Sequence, residues 1–434
     1  MRHNIKSMDY KSIRNNILTF LIFTGCLSLL KLTSAYVVKK TISSNKDKIQ
    51  IIKHRVNNRV INNQWPKKIG FKDNDYSISY TRDEKLDRYV QKLLKRYRSD
   101  YSSIIVIDNN TGNILSAVGY DKSERAMANH LAFSTTHPSA SLFKIITSAT
   151  LLGQGKINNK TSFSYRGRGT TLYRYQLKRK RDRWTRIQTL ENAFAHSNNV
   201  IFGKAAISRI TGPGIYQMAS KFGFNKRLMG GMNLSASTFK MPTDQYHLAE
   251  LATGFNKQTL ISPVHAAVLS SIVANDGVLK NPRLIKDIHN EQGKAIWKNN
   301  TATTQVLSGS VSAQLKKMME LVVKKGTARS VNRGLRRKMR KNLKIGGKTG
   351  SITGGIPYGK RDWLTLFAMP KEGFEDKGIS IAVMNINVKK WYVKSSFLAK
   401  KVIEYYFKEI KPMVKKLSRE NSPVKKTPIL TTVI

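Results

Sequence analysis

The chain has 434 residues, of which 40% are hydrophobic and 24% charged, the composition of a globular protein with a hydrophobic core. Its 77 Lys and Arg residues against 26 Asp and Glu residues give a net charge of +51, which predicts either anionic partners or a general lysine enrichment. The single cysteine, Cys26, excludes an intrachain disulfide and a cysteine-ligated metal centre, and the eight histidines lack a zinc-binding spacing, so neither a metal nor another cofactor is expected.

The N-terminus predicts export from the cytosol. Residues 1–16 are basic, and residues 17–38 carry Lys31 as their only charge over a length that suffices to cross a bilayer. We expect a cytoplasmic tail over 1–16, a single membrane anchor over 17–38, and the catalytic domain on the extracytoplasmic side of the cell membrane. Two alternatives stay open, namely cleavage near Ala35, which would give a secreted protein, and lipidation at Cys26. All three leave nucleic acid out of the expected partners.

The composition changes along the chain after this segment. Residues 39–77 are predicted to be a solvated basic linker, because 39–72 hold ten Lys or Arg residues, a single acid and few large apolar clusters. Apolar residues at helical spacing over 86–94 predict the first helix of a globular domain. Residues 102–108 and 113–120 then predict two strands, with Gly112 supplying the positive φ of the turn between them.

The later elements predict the fold class. An apolar, proline-free run predicts a helix from Ser141 to Gly153, and residues 246–275 predict two helices with a break around Pro263. The last third predicts three strands and a closing amphipathic helix, at 343–352, 362–370, 378–388 and 396–410.

Strands therefore come from both ends of residues 78–411, around a central helical region. This order predicts an α+β fold in which an antiparallel sheet is flanked by helices and carries an inserted all-helical region. Residues 412–434 are polar and basic, and we expect a disordered tail there.

Three polar elements carry the chemistry. Ser141 lies three residues before Lys144, so a helix places the amine one turn from the hydroxyl, where a neutral lysine can take the serine's proton. Ser-x-x-Lys occurs five times in the chain, but only Ser141 opens a long helix-compatible run. The second element is the pair Ser197 and Asn199, and the third is the run Lys348, Thr349, Gly350 and Ser351 on a predicted strand.

Taken together and in this order, the three elements resemble the Ser-x-x-Lys, Ser-x-Asn and Lys-Thr-Gly motifs of penicillin-binding proteins and serine β-lactamases. The long gap between the second and third elements is similar to that in transpeptidase domains of penicillin-binding proteins of high molecular mass. The flanking segments 104–121, 261–277 and 361–370 resemble the family as well. The resemblance covers about residues 78–410 and implies the penicillin-binding transpeptidase fold. Since 77 residues precede it, too few for a glycosyltransferase module or a pedestal domain, we expect a compact monofunctional member.

The resemblance also implies a reaction. Ser141 would attack the carbonyl of the penultimate D-alanine in a peptidoglycan stem peptide ending in D-Ala-D-Ala, and an amine from a second strand would resolve the acyl-enzyme into a cross-link. Lys144 would accept the serine's proton, since burial and the nearby Lys348 both disfavour a charged amine. Ser197 would bridge Lys144 and the leaving amine as a proton relay. β-Lactams would acylate the same serine.

The same resemblance assigns substrate-binding roles. Asn199 would hold the donor's amide, and Lys348 and Thr349, with Gly350 beside them, would bind the terminal carboxylate. The backbone N–H groups of Ser141 and Ser351 would form the oxyanion hole.

Three alternatives stay open. A β-lactamase or antibiotic sensor is disfavoured because no Glu-x-x-x-Asn lies between the second and third motifs to activate a water. A D,D-carboxypeptidase would differ only in using water as the acceptor. A catalytically inactive wall-binding scaffold is the alternative from another class, and the intact motifs argue against it.

Two strongly basic runs remain. Residues 166–186 hold nine Lys or Arg residues against one acid, and residues 329–344 hold eight against none. They are either solvated surface or a track for an anionic wall polymer or lipid headgroups.

Overall fold

The computed structural model describes residues 45–178, 182–229, 231–232, 234–300, 302–372 and 376–412. The expected cytoplasmic tail, the expected membrane anchor and nearly all of the expected C-terminal tail lie outside the described residues. Across the described ranges, no helix is both long enough and apolar enough to span a bilayer.

Helices and strands are interspersed along the described residues. The helices, numbered in chain order, are α1 (Asn45–Ile61), α2 (Glu84–Tyr97), α3 (His130–Phe133), α4 (Lys144–Gly153), α5 (Arg174–Leu177), α6 (Leu190–Ala195), α7 (Asn199–Arg209), α8 (Gly212–Lys221), α9 (Gln245–Thr253), α10 (Pro263–Ala274), α11 (Gly309–Lys324), α12 (Arg329–Gly334), α13 (Arg337–Asn342) and α14 (Ser395–Tyr405). The strands are β1 (Lys68–Phe71), β2 (Asn74–Tyr80), β3 (Tyr101–Asp108), β4 (Ile114–Asp121), β5 (Ala126–Met127), β6 (His137–Pro138), β7 (Ser162–Tyr165), β8 (Arg186–Thr189), β9 (Leu260–Ile261), β10 (Val278–Lys280), β11 (Ile285–His289), β12 (Ala295–Lys298), β13 (Thr303–Gln305), β14 (Leu343–Thr353), β15 (Lys360–Pro370) and β16 (Ile379–Asn387).

The central sheet is assembled from both ends of the domain. Its strand order is β14-β15-β16-β3-β4-β5, and each neighbouring pair is antiparallel. The hairpin β3–β4 turns at Gly112, whose φ of 75° is a conformation that glycine adopts without a steric penalty. The predicted α+β fold, with its antiparallel sheet and its helical insertion, is confirmed.

The helix α10 lies at the centre of the domain and contacts the sheet strands β3, β15 and β16. All twelve of its residues are buried, so this helix has no solvent-facing polar side. Pro263 occupies the first turn of this helix, where its missing N–H costs nothing, and the Ser262 side chain caps the turn by accepting from the His265 N–H. The predicted break around Pro263 is therefore the start of α10, and α9 ends before it at Thr253.

The segment 45–77, predicted to be a solvated linker, is folded. In α1 the side chains of Ile52, Val56 and Val60 recur every four residues and have no exposed surface. The strands β1 and β2 pair with β11 and β12 in a second sheet. The prediction was wrong here because the eight Lys and Arg residues of 45–77 are interspersed with a narrow apolar stripe, which composition alone does not reveal.

Candidate active site

Three separate parts of the fold bring the predicted motifs together. Ser141 lies in a 3-10 turn over Ala140–Phe143 that runs directly into α4, which begins at Lys144. Ser197 occupies the turn before α7, and Lys348 to Ser351 lie on β14, the edge strand of the central sheet. These parts surround a cavity of about 360 Å³, whose wall includes Ser141, Ser197, Asn199, Thr349, Gly350 and Ser351.

Lys144 is held by three oxygen atoms in the interior. Its Nζ lies 2.9 Å from Ser141 Oγ, 2.6 Å from Asn199 Oδ1 and 2.6 Å from the Thr253 carbonyl oxygen. The side chain has no exposed surface. Burial lowers the pKa of Lys144 well below its usual value, and the charge of Lys348 lowers it further.

This arrangement suits a neutral amine that acts as a base. A neutral lysine has two N–H donors and one lone pair, and the Asn199 and Thr253 oxygens match the two donors. The third direction then points the lone pair at the hydroxyl of Ser141. The predicted pairing of Ser141 with Lys144 is thus present in a form that permits proton transfer from the hydroxyl to the amine.

Lys348 lies behind Ser197 and is buried as completely as Lys144. Its Nζ donates to Ser197 Oγ at 3.0 Å and to the Thr349 carbonyl oxygen at 3.0 Å. Burial lowers the pKa of Lys348 to about 7. The predicted bridge from Ser197 to Lys144 differs from this geometry, because the hydrogen bond of Ser197 goes to Lys348.

Asn199 is placed differently from the prediction. Its Oδ1 accepts from Lys144, and its Nδ2 donates to the Thr170 carbonyl oxygen at 2.9 Å. Both ends of the carboxamide are therefore engaged within the protein, and the side chain orients the amine of Lys144. A contact from Asn199 to the donor's amide would require one of these hydrogen bonds to open.

The backbone is left-handed at Ser197 and at the residue before Ser141. Ala140, next to Ser141, has a φ of 49°, and Ser197 itself has a φ of 57°. Left-handed conformations cost residues with a Cβ about 1–2 kcal/mol, and such strain persists only where the surroundings impose it. Trp363 anchors the chain that leads into the first turn, since its Nε1 donates to the Pro138 carbonyl oxygen at 3.0 Å.

Glycines allow two chain segments to approach the nucleophile. A Cβ at Gly350 would lie 3.3 Å from the Ser141 backbone nitrogen, so β14 passes directly beside the reactive turn. Gly254 has a φ of 68°, and a Cβ there would overlap the Ala140 carbonyl oxygen. The prediction that the backbone N–H groups of Ser141 and Ser351 share one oxyanion hole stays a prediction, and both residues line the cavity.

The site contains residues that the sequence analysis did not single out. Thr327 Oγ1 lies 2.5 Å from Thr349 Oγ1, and Thr253 and Thr170 contribute the carbonyl oxygens described above. Asp362 places a buried carboxylate in the wall, where burial raises its pKa and the Ser395 N–H donates to it at 2.7 Å. The sequence contained one signal for Thr253. This residue directly precedes Gly254, and glycine is common at the end of a helix.

Across the residues that the structure describes, no group of three or more His, Cys, Asp and Glu side chains is placed to hold a metal ion. The groups around Ser141 that can do chemistry are hydroxyls, two buried amines of lowered pKa and backbone N–H groups, and Asp362 and His196 also line the cavity. This set fits acyl transfer through a serine ester.

Comparison with protein families agrees with this chemistry. Residues 102–403 match the family model described as the penicillin-binding protein transpeptidase domain. The chain belongs to this transpeptidase family. The match spans the three motifs and the central sheet, so the resemblance inferred from the sequence is confirmed.

Individual relatives of this transpeptidase-family chain are distant. Over 272 residues it is 25% identical to penicillin-binding protein PbpB of Mycolicibacterium smegmatis, a match covering 57% of this chain and 40% of the relative. The chain thus spans less than half the length of the curated relatives that it matches.

Solved structures share its fold. The imipenem acyl-enzyme of penicillin-binding protein A from M. tuberculosis superposes with a TM-score of 0.60 at 18% identity, covering 76% of this chain and 79% of that one. The D,D-transpeptidase domain of a peptidoglycan glycosyltransferase from Eggerthella lenta gives a TM-score of 0.61 at 20% identity, covering 76% and 83%.

Proposed function

We propose that this protein is a D-Ala-D-Ala transpeptidase that cross-links peptidoglycan stem peptides through an ester on Ser141. The observation that carries the proposal is the contact of 2.9 Å between Ser141 Oγ and Lys144 Nζ, made where two further oxygens account for the N–H groups of a neutral amine. A solvated lysine of ordinary pKa would hold a proton at neutral pH and would be no base.

In the first half of the reaction, Ser141 Oγ attacks the carbonyl carbon of the penultimate D-alanine and its proton passes to Lys144. The amide C–N bond then breaks, and the terminal D-alanine leaves as an amine after taking a proton. Ser197, bound to Lys348, lies beside Ser141 in the cavity and is the hydroxyl available to pass that proton on. In the second half, the amine of another stem peptide attacks the ester and frees Ser141.

The terminal carboxylate of the stem peptide has a matching surface. The hydroxyls of Thr349 and Thr327 form one wall of the cavity, and the amine of Lys348 lies behind Ser197. Hydroxyl donors backed by a cation favour an anion, although Lys348 has no exposed surface of its own. We propose that these groups bind that carboxylate and the carboxylate of a β-lactam.

Labelling with a fluorescent penicillin tests the proposal. The wild-type chain should carry a stable label over hours, and Ser141→Ala should carry none. Ser139→Ala is the matched control, because its buried hydroxyl lies two residues away and has no hydrogen-bond partner in the described structure. Rapid loss of the label would indicate a hydrolase, and absence of any label would favour a scaffold.

The acceptor separates a transpeptidase from a D,D-carboxypeptidase. A synthetic stem peptide ending in D-Ala-D-Ala, incubated with a second peptide bearing a free amine, should yield a cross-linked product of the summed mass less one D-alanine. Release of D-alanine without that product would identify water as the acceptor and overturn the transpeptidase assignment.

We further propose that the catalytic domain lies on the extracytoplasmic side of the cell membrane, held by residues 17–38. The support is the length and low charge of that segment together with its basic N-terminal flank. In intact spheroplasts, added protease should remove a C-terminal epitope and spare an N-terminal one. Protection of both epitopes would contradict this topology.

A further inference from the structure

A second and larger cleft lies outside the catalytic cavity. Its volume is about 1190 Å³, and it opens beside the ribbon formed by β7 and β8. The C-terminal half of α7 forms one wall with Lys204, Ser208 and Arg209. Lys156 and the neutral polar residues Gln154, Thr161, Ser162, Ser164 and Gln245 also line it.

The chemistry of this lining suits a hydroxylated anion. Three cations, Lys156, Lys204 and Arg209, line the cleft, and no carboxylate lies among the described residues that form it. Lys156 and Arg209 are exposed, and neither makes an ion pair within the described chain. The serine and threonine hydroxyls and the glutamine carboxamides supply neutral donors and acceptors for sugar or polyol hydroxyls.

Three arginines of the basic run 166–186 have partners inside the domain. Arg166 forms an ion pair with Asp182 at 2.5 Å. The guanidinium groups of Arg174 and Arg186 lie over the rings of Tyr246 and Tyr165, at 4.2 and 4.6 Å from the ring centroids. These cations already have partners inside the domain, whereas Lys156 and Arg209 face the open cleft.

The cleft and the catalytic cavity are joined by one helix. Asn199 at the start of α7 lines the cavity, and Arg209 at its end lines the cleft. The ten residue steps between them correspond to about 15 Å along the helix axis. The cleft and the catalytic cavity thus lie at opposite ends of one helix.

We propose that this cleft binds an anionic cell-wall polymer and holds it while its neighbourhood is cross-linked at Ser141. The inference rests on the proposed function for its biological setting. The ligand is a hydroxylated chain carrying either the carboxylates of stem peptides or the phosphodiesters of a polyol-phosphate polymer. The concave, hydroxyl-lined wall favours such a chain over a membrane surface, which requires an outward-facing apolar or basic face.

Co-sedimentation of the purified full-length chain with insoluble wall sacculi tests the proposal. The variant carrying Lys156→Gln and Arg209→Gln should bind sacculi about fivefold more weakly, as expected for the loss of two exposed ion pairs. The matched control carries Arg337→Gln and Lys338→Gln on α13, which remove the same charge from an exposed helix elsewhere. The control should lose less than about twofold. Equal losses in both variants, or no loss in either, would overturn the proposal.

Two further arms identify the ligand and isolate the cleft. Sacculi stripped of phosphodiester-linked polymer by hydrofluoric acid lose binding if phosphodiesters are the ligand and keep it if stem-peptide carboxylates are. Anionic lipid vesicles that outcompete both polymers would overturn the assignment. Labelling by fluorescent penicillin should be equal in the wild type and the cleft variant. Weak sacculus binding with normal labelling thus reports on the cleft, and loss of labelling reports on the catalytic site.

Discussion

Lys348 lowers the pKa of Lys144 although its own amine is hydrogen-bonded to Ser197. Neither lysine has exposed surface, and the partners of both are hydroxyl, carboxamide and carbonyl oxygens, which carry no full negative charge. Burial is the larger cause of the low pKa of Lys144, and the neighbouring amine adds to it. Lys348 therefore helps to keep Lys144 neutral, while the low pKa of Lys348 itself comes from burial.

Removing Lys348 should shift the pH dependence of Ser141 acylation. Acylation needs the neutral form of Lys144, so its rate rises with pH through the pKa of that amine. In Lys348→Met the repulsion is gone and the pKa of Lys144 rises, so the rising limb moves to higher pH. The measurement is the second-order rate constant for a fluorescent penicillin between pH 5 and pH 10.

The control for this experiment is Lys344→Met. Lys344 lies on the same strand, four residues earlier, and pairs with Glu372 away from the cavity. Its substitution should leave the rising limb in place. A limb that stays unchanged in Lys348→Met as well would show that the two amines are not coupled.

Buried amines also make stability depend on pH. The folded pKa of Lys348 is about 7, whereas an unfolded lysine titrates near 10.4, so between these values the unfolded chain binds more protons. The free energy of unfolding should therefore rise with pH across this window, by up to about 1.4 kcal/mol per pH unit for this residue. Urea unfolding at pH 7.5, 8.5 and 9.5 should show a steeper rise in the wild type than in Lys348→Met, which keeps only the contribution of Lys144. Parallel profiles would contradict the lowered pKa.

The fold was predictable to the extent that its elements repeat a local pattern. Periodicity alone identified the hairpin β3–β4, the last three strands and the closing helix, because each carries a clear apolar rhythm. It failed for α1, whose stripe of Ile52, Val56 and Val60 is hidden among cations. No local signal could show that β1 and β2 join β11, since that pairing crosses some two hundred residues of sequence.

The contacts of the site likewise divide into those that the sequence predicts and those that depend on tertiary structure. The contact between Ser141 and Lys144 follows from a spacing of three residues in one helical turn, and the sequence predicts it directly. The partner of Ser197 depends on how β14 meets the turn before α7, which is tertiary geometry, and the structure assigns it to Lys348. Thr253 binds Lys144 through its backbone carbonyl oxygen. Every residue type has such a group, so the sequence could not indicate this role.

Trp363 should control the position of the nucleophile through a single hydrogen bond. Trp363→Phe keeps a ring in the core but leaves the buried Pro138 carbonyl oxygen without the donor seen at 3.0 Å. An unsatisfied buried acceptor costs about 1–3 kcal/mol, so urea unfolding should shift by that amount. Penicillin labelling should slow as well, because Pro138 leads into the turn that carries Ser141. Trp65→Phe, in the loop between α1 and β1, should leave labelling unchanged. Equal labelling by both variants would show that the hydrogen bond has no part in positioning.

Two glycines with nearly equal φ values test whether the close packing of Gly254 against Ala140 positions Ser141 for reaction. Gly254 and Gly155 have φ values of 68° and 72°, so a Cβ adds a similar conformational penalty of about 1–2 kcal/mol at each. At Gly155 the new methyl meets nothing within 4 Å, whereas at Gly254 it overlaps the Ala140 carbonyl oxygen.

Gly155→Ala should therefore lose only modest stability and keep full penicillin labelling. Gly254→Ala must displace either the Ala140 turn or the Thr253 carbonyl that holds Lys144, so labelling should fall by about a hundredfold or more. Circular dichroism and urea unfolding of the two variants separate this local effect from global unfolding. If folded Gly254→Ala labels as fast as Gly155→Ala, the close approach of α9 to the nucleophile does not position it.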